Sequence, residues 1–279
     1  MFRYYGRIQN KAEALKAVYF TSEGAGTVKI IVLRGTQPQS AVLVSEYAST
    51  DWTRLYQTNI ETTLDEDDPT VCRFRVQFAP LNRGFNPNIK LTIYAYLPLE
   101  LKNVSIQGSY IDLMYLGPNV ADTLNVEVQQ GSVRILTPIL AKRITLSTTK
   151  GNLKMDNVHA TTIHIKSLDQ DSVGTISGTI GGFNSAILET RSGDIRAILN
   201  PIANASIFMR SISGSYYLTT YGFKGNLTFS SQVHPGLFDG IDFPLLGLFP
   251  TRATVGGKDG KGIMYVETQT GLGQLFFKE

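Results

Sequence analysis

The chain has 279 residues, 42% of them hydrophobic and 18% charged, a balance that suits folded, strand-rich material and excludes a solvated disordered segment. Its formal net charge is only +3 and no Lys/Arg run is present, so nucleic acid is not an expected partner. Cys72 is the single cysteine, which excludes an internal disulfide, and no Cys/His grouping has the spacing of a zinc site.

The first 20 residues carry Arg3, Arg7, Lys11 and Lys16 but lack the unbroken apolar core of a secretory leader. The expectation is a protein that stays inside, or one whose leader lies outside this sequence. A short helix is predicted over 11–18, then strands over 27–33, 41–45, 71–78 and 89–97, with no fixed period linking them. The acidic stretch 61–68 (ETTLDEDD) reads as a solvated loop, because it lacks the glycine and twelve-residue ligand order of a calcium-binding EF-hand. Residues 1–100 are predicted to be a β-rich cap, since an open stack of strands exposes its last ladder and needs a cover. The apolar-rich segment 101–114 is read as an irregular first coil.

From residue 124 a pattern recurs: apolar, any, apolar, four residues, glycine, any, apolar, any, apolar. Its instances are Leu124-Val126-Gly131-Val133-Ile135, Ile144-Leu146-Gly151-Leu153-Met155, Ala186-Leu188-Gly193-Ile195-Ala197, Ile207-Met209-Gly214-Tyr216-Leu218 and Met264-Val266-Gly271-Gly273-Leu275. The pairs Ile163/Ile165 and Leu227/Phe229 fall where the period demands but lead into altered turns. Period-two alternation buries one face of a strand, and glycine at the corner tolerates positive φ, so each unit reads as strand, corner, strand. The predicted fold is therefore all-β, a single-chain parallel β-solenoid of about seven coils of ~21 residues over 101–279, stacked in chain order behind the N-terminal β-rich cap. An antiparallel sandwich is the alternative, but it has no reason to keep the period.

The last interval contains an insertion, 230–262, rich in Leu237, Phe238, Ile241, Phe243, Leu245, Leu246, Leu248 and Phe249. The residues between the first apolar positions (Asn125, Thr145, His164, Ile187, Phe208, Thr228, Tyr265) should face outward, and they turn greasy toward the C-terminus. The insertion is expected to fold over that flank, an exposed partner surface being the alternative. Its apolar run 243–249 is too short to span a bilayer as a helix, so no transmembrane segment is predicted.

No catalytic constellation is evident, and neither catalytic nor metal-binding residues nor a cofactor are assigned. His159, His164 and His234 lack ligand spacing, and there is no Gly-x-Ser-x-Gly, Walker or dinucleotide fingerprint. Asp156, Asp169, Asp171 and Asp194 are candidate carboxylates for a polysaccharide-active β-helix enzyme, yet they fall at different points of their coils. The outward position after the glycine is basic at Arg134, Lys154 and Arg196, a broken stripe suited to a polyanionic glycan or envelope polymer. A solubilising strand face is the plainer account of it. A second outward ladder (Glu127, Ser147, Lys166, Glu189, Arg210, Ser230, Glu267) alternates in sign through its middle and reads as structural. Acceptor sequons occur at Asn103, Asn204 and Asn226, about the number chance supplies.

The stretch 97–279 resembles the putative-adhesin family of β-solenoid domains, largely of unknown function. The resemblance rests on YLPLELKNVSIQG followed by Thr/Ser-x-x-Gly units such as STTKGNLKM, ETRSGDIRA and RSISGSYYL. It implies an extracellular or envelope-associated module without a known catalytic set, and the insertion at 230–262 departs from it. The function expected is a non-enzymatic, adhesin-like surface module whose partner is a polyanionic glycan, an envelope polymer or another surface protein. The alternatives are a self-assembling scaffold and the polysaccharide-active enzyme.

Overall fold

A computed structural model describes residues 2–9, 13–24, 26–47, 58–78, 90–168, 174–232, 236–241, 250–257 and 259–279. Among them the regular structure is all β and no helix occurs; the predicted helix over 11–18 is replaced, where described, by irregular chain leading into a strand at Ala17. Alternating burial at Ala17, Val18, Phe20 and Ser22 fits a strand with one buried face rather than a helical stripe. The chain divides into two compact units, Met1–Ala141 and Lys142–Glu279.

The N-terminal unit contains β1 (Phe2–Gln9), β2 (Ala17–Glu23), β3 (Thr27–Arg34), β4 (Ser40–Tyr47), β5 (Thr58–Leu64), β6 (Val71–Phe78), β7 (Lys90–Leu97), β8 (Glu100–Leu116), β9 (Asn119–Gln130) and β10 (Val133–Ile135). Parallel pairing starts at β2, which lies between β6 and the first half of β8, while β3 lies between β7 and the second half. Side chains in register then form interior columns: Phe74, Phe20, Ile106 and Val126 in one ladder, Ile93, Ile30, Leu113 and Val133 in the other. Every one of these is at most 3% exposed, so each contributes about 1.5–3 kcal/mol of burial. Antiparallel strands close the outer side, β5 on β6, and β4 on β7 with β1 beyond it. Such pairing satisfies edges that would otherwise recruit another chain.

The acidic stretch is partly strand, since Glu61 lies in β5 and accepts from Asn59 Nδ2 at 2.7 Å. In the following turn Arg73 Nε donates to Asp65 Oδ2 at 2.7 Å, and the amides of Asp67 and Asp68 donate to Oδ1. The Arg73 bond and those amides hold the Asp65 carboxyl below its ordinary range.

β11 (Ile139–Lys150) runs from one unit into the other, and the C-terminal unit continues with β12 (Leu153–Ser167), β13 (Ile176–Gly181), β14 (Ser185–Thr190), β15 (Ile195–Asn200), β16 (Ser206–Ser211), β17 (Tyr216–Tyr221), β18 (Gly225–Ser231), β19 (Leu237–Asp239), β20 (Thr251–Val255), β21 (Gly262–Thr268) and β22 (Gly273–Lys278). Two parallel ladders run through it. One is β12, β14, β16, β21 and β18, closed by antiparallel β20; the other is β12, β13, β15, β17, β22 and β19. A bulge between Met155 and Val158, with Asn157 at φ 62°, lets β12 serve both.

The predicted fold of about seven solenoid coils with a β-rich cap is not what the chain builds. Five parallel strands of the sheet close as a barrel and other strands pair outside it. Within the C-terminal unit the order also breaks: β21 and β22, last in sequence, lie between β16/β17 and β18/β19. Met264 sits in register with Ile207 on one side and Leu227 on the other. The N-terminal strands β2 and β3 are inserted in the same manner, so they belong to the parallel ladders rather than forming a separate cap.

At three of the five repeat corners the glycine has a different cause from the one the sequence suggested. Gly131 and Gly151 do have positive φ, at 133° and 148°, but Gly193, Gly214 and Gly271 do not. At these three a Cβ would lie 1.8 Å from Gly174 O, 1.9 Å from Gly193 O and 1.9 Å from Gly214 O respectively. Close stacking of corner on corner, not backbone handedness, demands glycine there. The Thr/Ser three residues earlier satisfies the corner: Thr190 Oγ1 donates to Gly193 O at 2.6 Å, and Thr268 Oγ1 accepts from Gly271 N at 2.9 Å and donates to Gly214 O at 3.1 Å. Together with Ser167, Ser211 and Ser231, these hydroxyl residues form a buried column beside the apolar ones.

Intercalation of β21 also reorders the charged ladder, which runs Lys166, Glu189, Arg210, Glu267, Ser230. Lys166 Nζ lies 2.7 Å and His164 Nε2 3.7 Å from Glu189 Oε2. Burial and the Lys166 ammonium hold the His164 imidazole below its ordinary pKa, with Glu189 pulling the other way. Burial of Glu189 opposes its ionisation, but Lys166 outweighs that and keeps the carboxyl below its usual range. Both groups bind protons more readily unfolded than folded, so acidification below the ordinary histidine pKa and then the carboxylate pKa removes stability. Urea titrations should show the midpoint falling from pH 7 to pH 5 in the native chain and falling less in His164→Gln; equal slopes would show that His164 does not contribute.

A candidate binding face on the C-terminal unit

Strands β13, β15, β17 and β22 turn one row of each strand inward, leaving alternate side chains on an outer face. One outer column reads Lys154, Ser177, Arg196, Tyr217, Gln274, and the next Thr179, Ile198, Thr219, Phe276; Tyr221 and Lys278 are paired in a third. Parallel strands are about 4.8 Å apart, so Lys154 and Arg196, two strands apart, are separated by roughly 10 Å along the ladder. Ile198, Tyr217, Tyr221 and Phe276 are 38–42% exposed, a concentration of large apolar side chains that solubility alone does not call for.

The cations on this face are organised by their neighbours. Arg196 pairs with Asp194 Oδ2 at 2.8 Å and stands over the Tyr217 ring, 5.0 Å from its centroid. The hydrogen bond that Arg196 donates to Asp194, and the carboxylate's charge, raise the Arg196 pKa, so the group stays ionised. Lys278 Nζ lies over the Tyr221 ring at 5.8 Å. Tyr217 and Tyr221 thus each supply an apolar ring face with a cation above it.

Of the stripe predicted from sequence, Lys154 and Arg196 share the outer column just described. Arg134 belongs to the N-terminal unit, outward on β10, where it lines a cavity of about 330 Å³ with Lys29, Asp112, Leu113, Met114 and Ser132. Asp112 there accepts from Ser132 N at 2.9 Å. The aromatic residues were missed in the sequence because they occupy the variable positions of the repeat; a search for rings at those positions finds Tyr217 and Phe276. His159 is held by Asn157 at 2.8 Å. Asp169, Asp171, His234 and 243–249 lie outside the described residues, and with them most of the expected greasy cover. Phe238, one of the described apolar residues of that insertion, does not cover the outer flank: it is in register with Leu275 and packs edge-on against buried Phe229 at 5.3 Å. On that flank Phe208 and Tyr265 instead stack on one another, 5.5 Å between centroids.

No protein-family model and no curated protein matches the chain. Among solved structures it is similar to a "putative adhesin" from Parabacteroides distasonis, at 11% identity and TM-score 0.48 over 99% of this chain and 97% of that one. It is similar also to a "putative lipid binding protein" from the same organism, at 13% identity and TM-score 0.45 over 99% and 96%. A "putative cell adhesion protein" from Clostridium sporogenes matches at 8% identity and TM-score 0.25 over 99% of both chains.

Proposed function

We propose that the chain is a non-enzymatic, adhesin-like binding module of a cell surface or envelope, and that it holds an acidic polysaccharide on the outer face of β13, β15, β17 and β22. The observation that supports this is the placing of Lys154, Arg196 and Lys278 on the same face as exposed Tyr217, Tyr221 and Phe276. Rings cover the C–H faces of sugars and cations neutralise their acid groups, and a rigid sheet spends little ordering entropy in presenting both.

Calorimetric titration with polygalacturonate, and with dextran as the neutral control, tests it. The acidic polymer should bind and dextran should not. Lys154→Ser/Arg196→Ser and Tyr217→Ala/Phe276→Ala should each weaken binding about ten-fold or more, and added salt should weaken the wild type. Unchanged affinity in both double variants refutes the proposal.

A further inference from the structure

The N-terminal unit has a second concave site, of about 380 Å³, lined by Arg7, Arg34, Thr36, Gln37, Ser40 and Tyr96 among others. Its floor is the outer face of three paired strands: Arg7 is in register with Val42 on β4, and Val42 with Tyr96 on β7. The segment between β3 and β4 forms a wall that brings Thr36 and Gln37 to the same space.

Two guanidiniums meet this cavity, and among the described residues neither is ion-paired with a carboxylate. Both are held by neutral acceptors instead. Arg7 Nη2 donates to Gln37 Oε1 at 2.7 Å, and Arg34 Nε donates to Gly117 O at 3.1 Å, leaving the Arg34 Nη groups for a ligand. Buried Ser40 also donates to Gln37 Oε1, at 3.2 Å, so that oxygen is satisfied twice and the amide hydrogens of Gln37 remain available. The Tyr96 ring, 38% exposed, offers an apolar wall. Two anchored forks without a counter-charge select an oxyanion, because guanidinium matches carboxylate and phosphate bidentately. The cavity volume falls at the lower end of the range for small-molecule sites.

We infer that this cavity binds a small sugar-sized acid, its carboxylate or phosphate held by Arg7 and Arg34 and its body against Tyr96. The site is independent of the polysaccharide face, since it lies in the other unit.

Titration of the whole chain, followed by NMR, with glucuronate, glucose 6-phosphate and glucose tests it. The two acids should saturate at about 10 mM or below and glucose should not. Arg34→Gln should weaken both acids about ten-fold or more, Arg34→Lys less so, and Tyr96→Ala should weaken both sugar acids while leaving inorganic phosphate unaffected. These side chains are exposed, so thermal midpoints should hold. Equal binding of glucose and the acids, unchanged affinity in Arg34→Gln, or no saturation by either acid overturns the inference.

Discussion

Gly214→Ala is expected to destabilise the C-terminal unit by about 3 kcal/mol or more, because its Cβ would occupy the same space as the Gly193 carbonyl oxygen, 1.9 Å away. The obstacle is backbone, which cannot swing aside as a side chain tip does, and displacing Gly193 disturbs its own contact with Gly174. Gly222 gives the comparison. It has φ 69° and no heavy atom within 4 Å of the place a methyl group would take, so Gly222→Ala should cost only the left-handed backbone penalty of about 1–2 kcal/mol. Guanidinium unfolding of both variants decides the matter: similar costs would show that close stacking at the corner is not what requires glycine.

Met264→Asp is the second large effect, expected at about 4 kcal/mol or more, since Met264 is fully buried between Ile207 and Leu227 and a carboxylate there would have no partner in the column. Its more informative result is where the damage appears. Because β21 separates β16 from β18, hydrogen exchange should accelerate in both Ser206–Ser211 and Gly225–Ser231. Had the strands stacked in chain order, β16 would have kept β18 as its neighbour and its protection. Loss of protection in β18 alone would refute the intercalated order.

The repeat was legible because parallel strands in register put like residues on like: Ile165, Leu188, Met209 and Val266 do fall in one column. The order of the last two levels was not legible, since Leu227/Phe229 and Met264/Val266 offer the same apolar pattern and either fits against Ile207/Met209. What distinguishes them is on the outer face. Glu267 stands opposite Arg210, and Tyr265 stacks on Phe208, whereas Thr228 and Ser230 would offer neither charge nor ring. The N-terminal ladders left no period to read, because β2 and β3 find their partners far along the chain on both sides. On the candidate face, the cations were visible as outward positions of the repeat. The rings stand at outward positions too, Tyr217 in the same slot as Arg196, but that slot varies in residue type from one repeat to the next, and the register is what sets the two side by side.

The position of β21 and β22 sets a sequence of events on the nascent chain. Strands β16 to β19 leave the ribosome before the pair that must lie between them, at about 5–20 residues per second. Until that pair arrives, β16 and β18 present complementary unpaired edges with apolar side chains in matching register, and they are free to join each other directly. Completing the unit then means parting a provisional ladder, or keeping it from closing until synthesis has caught up.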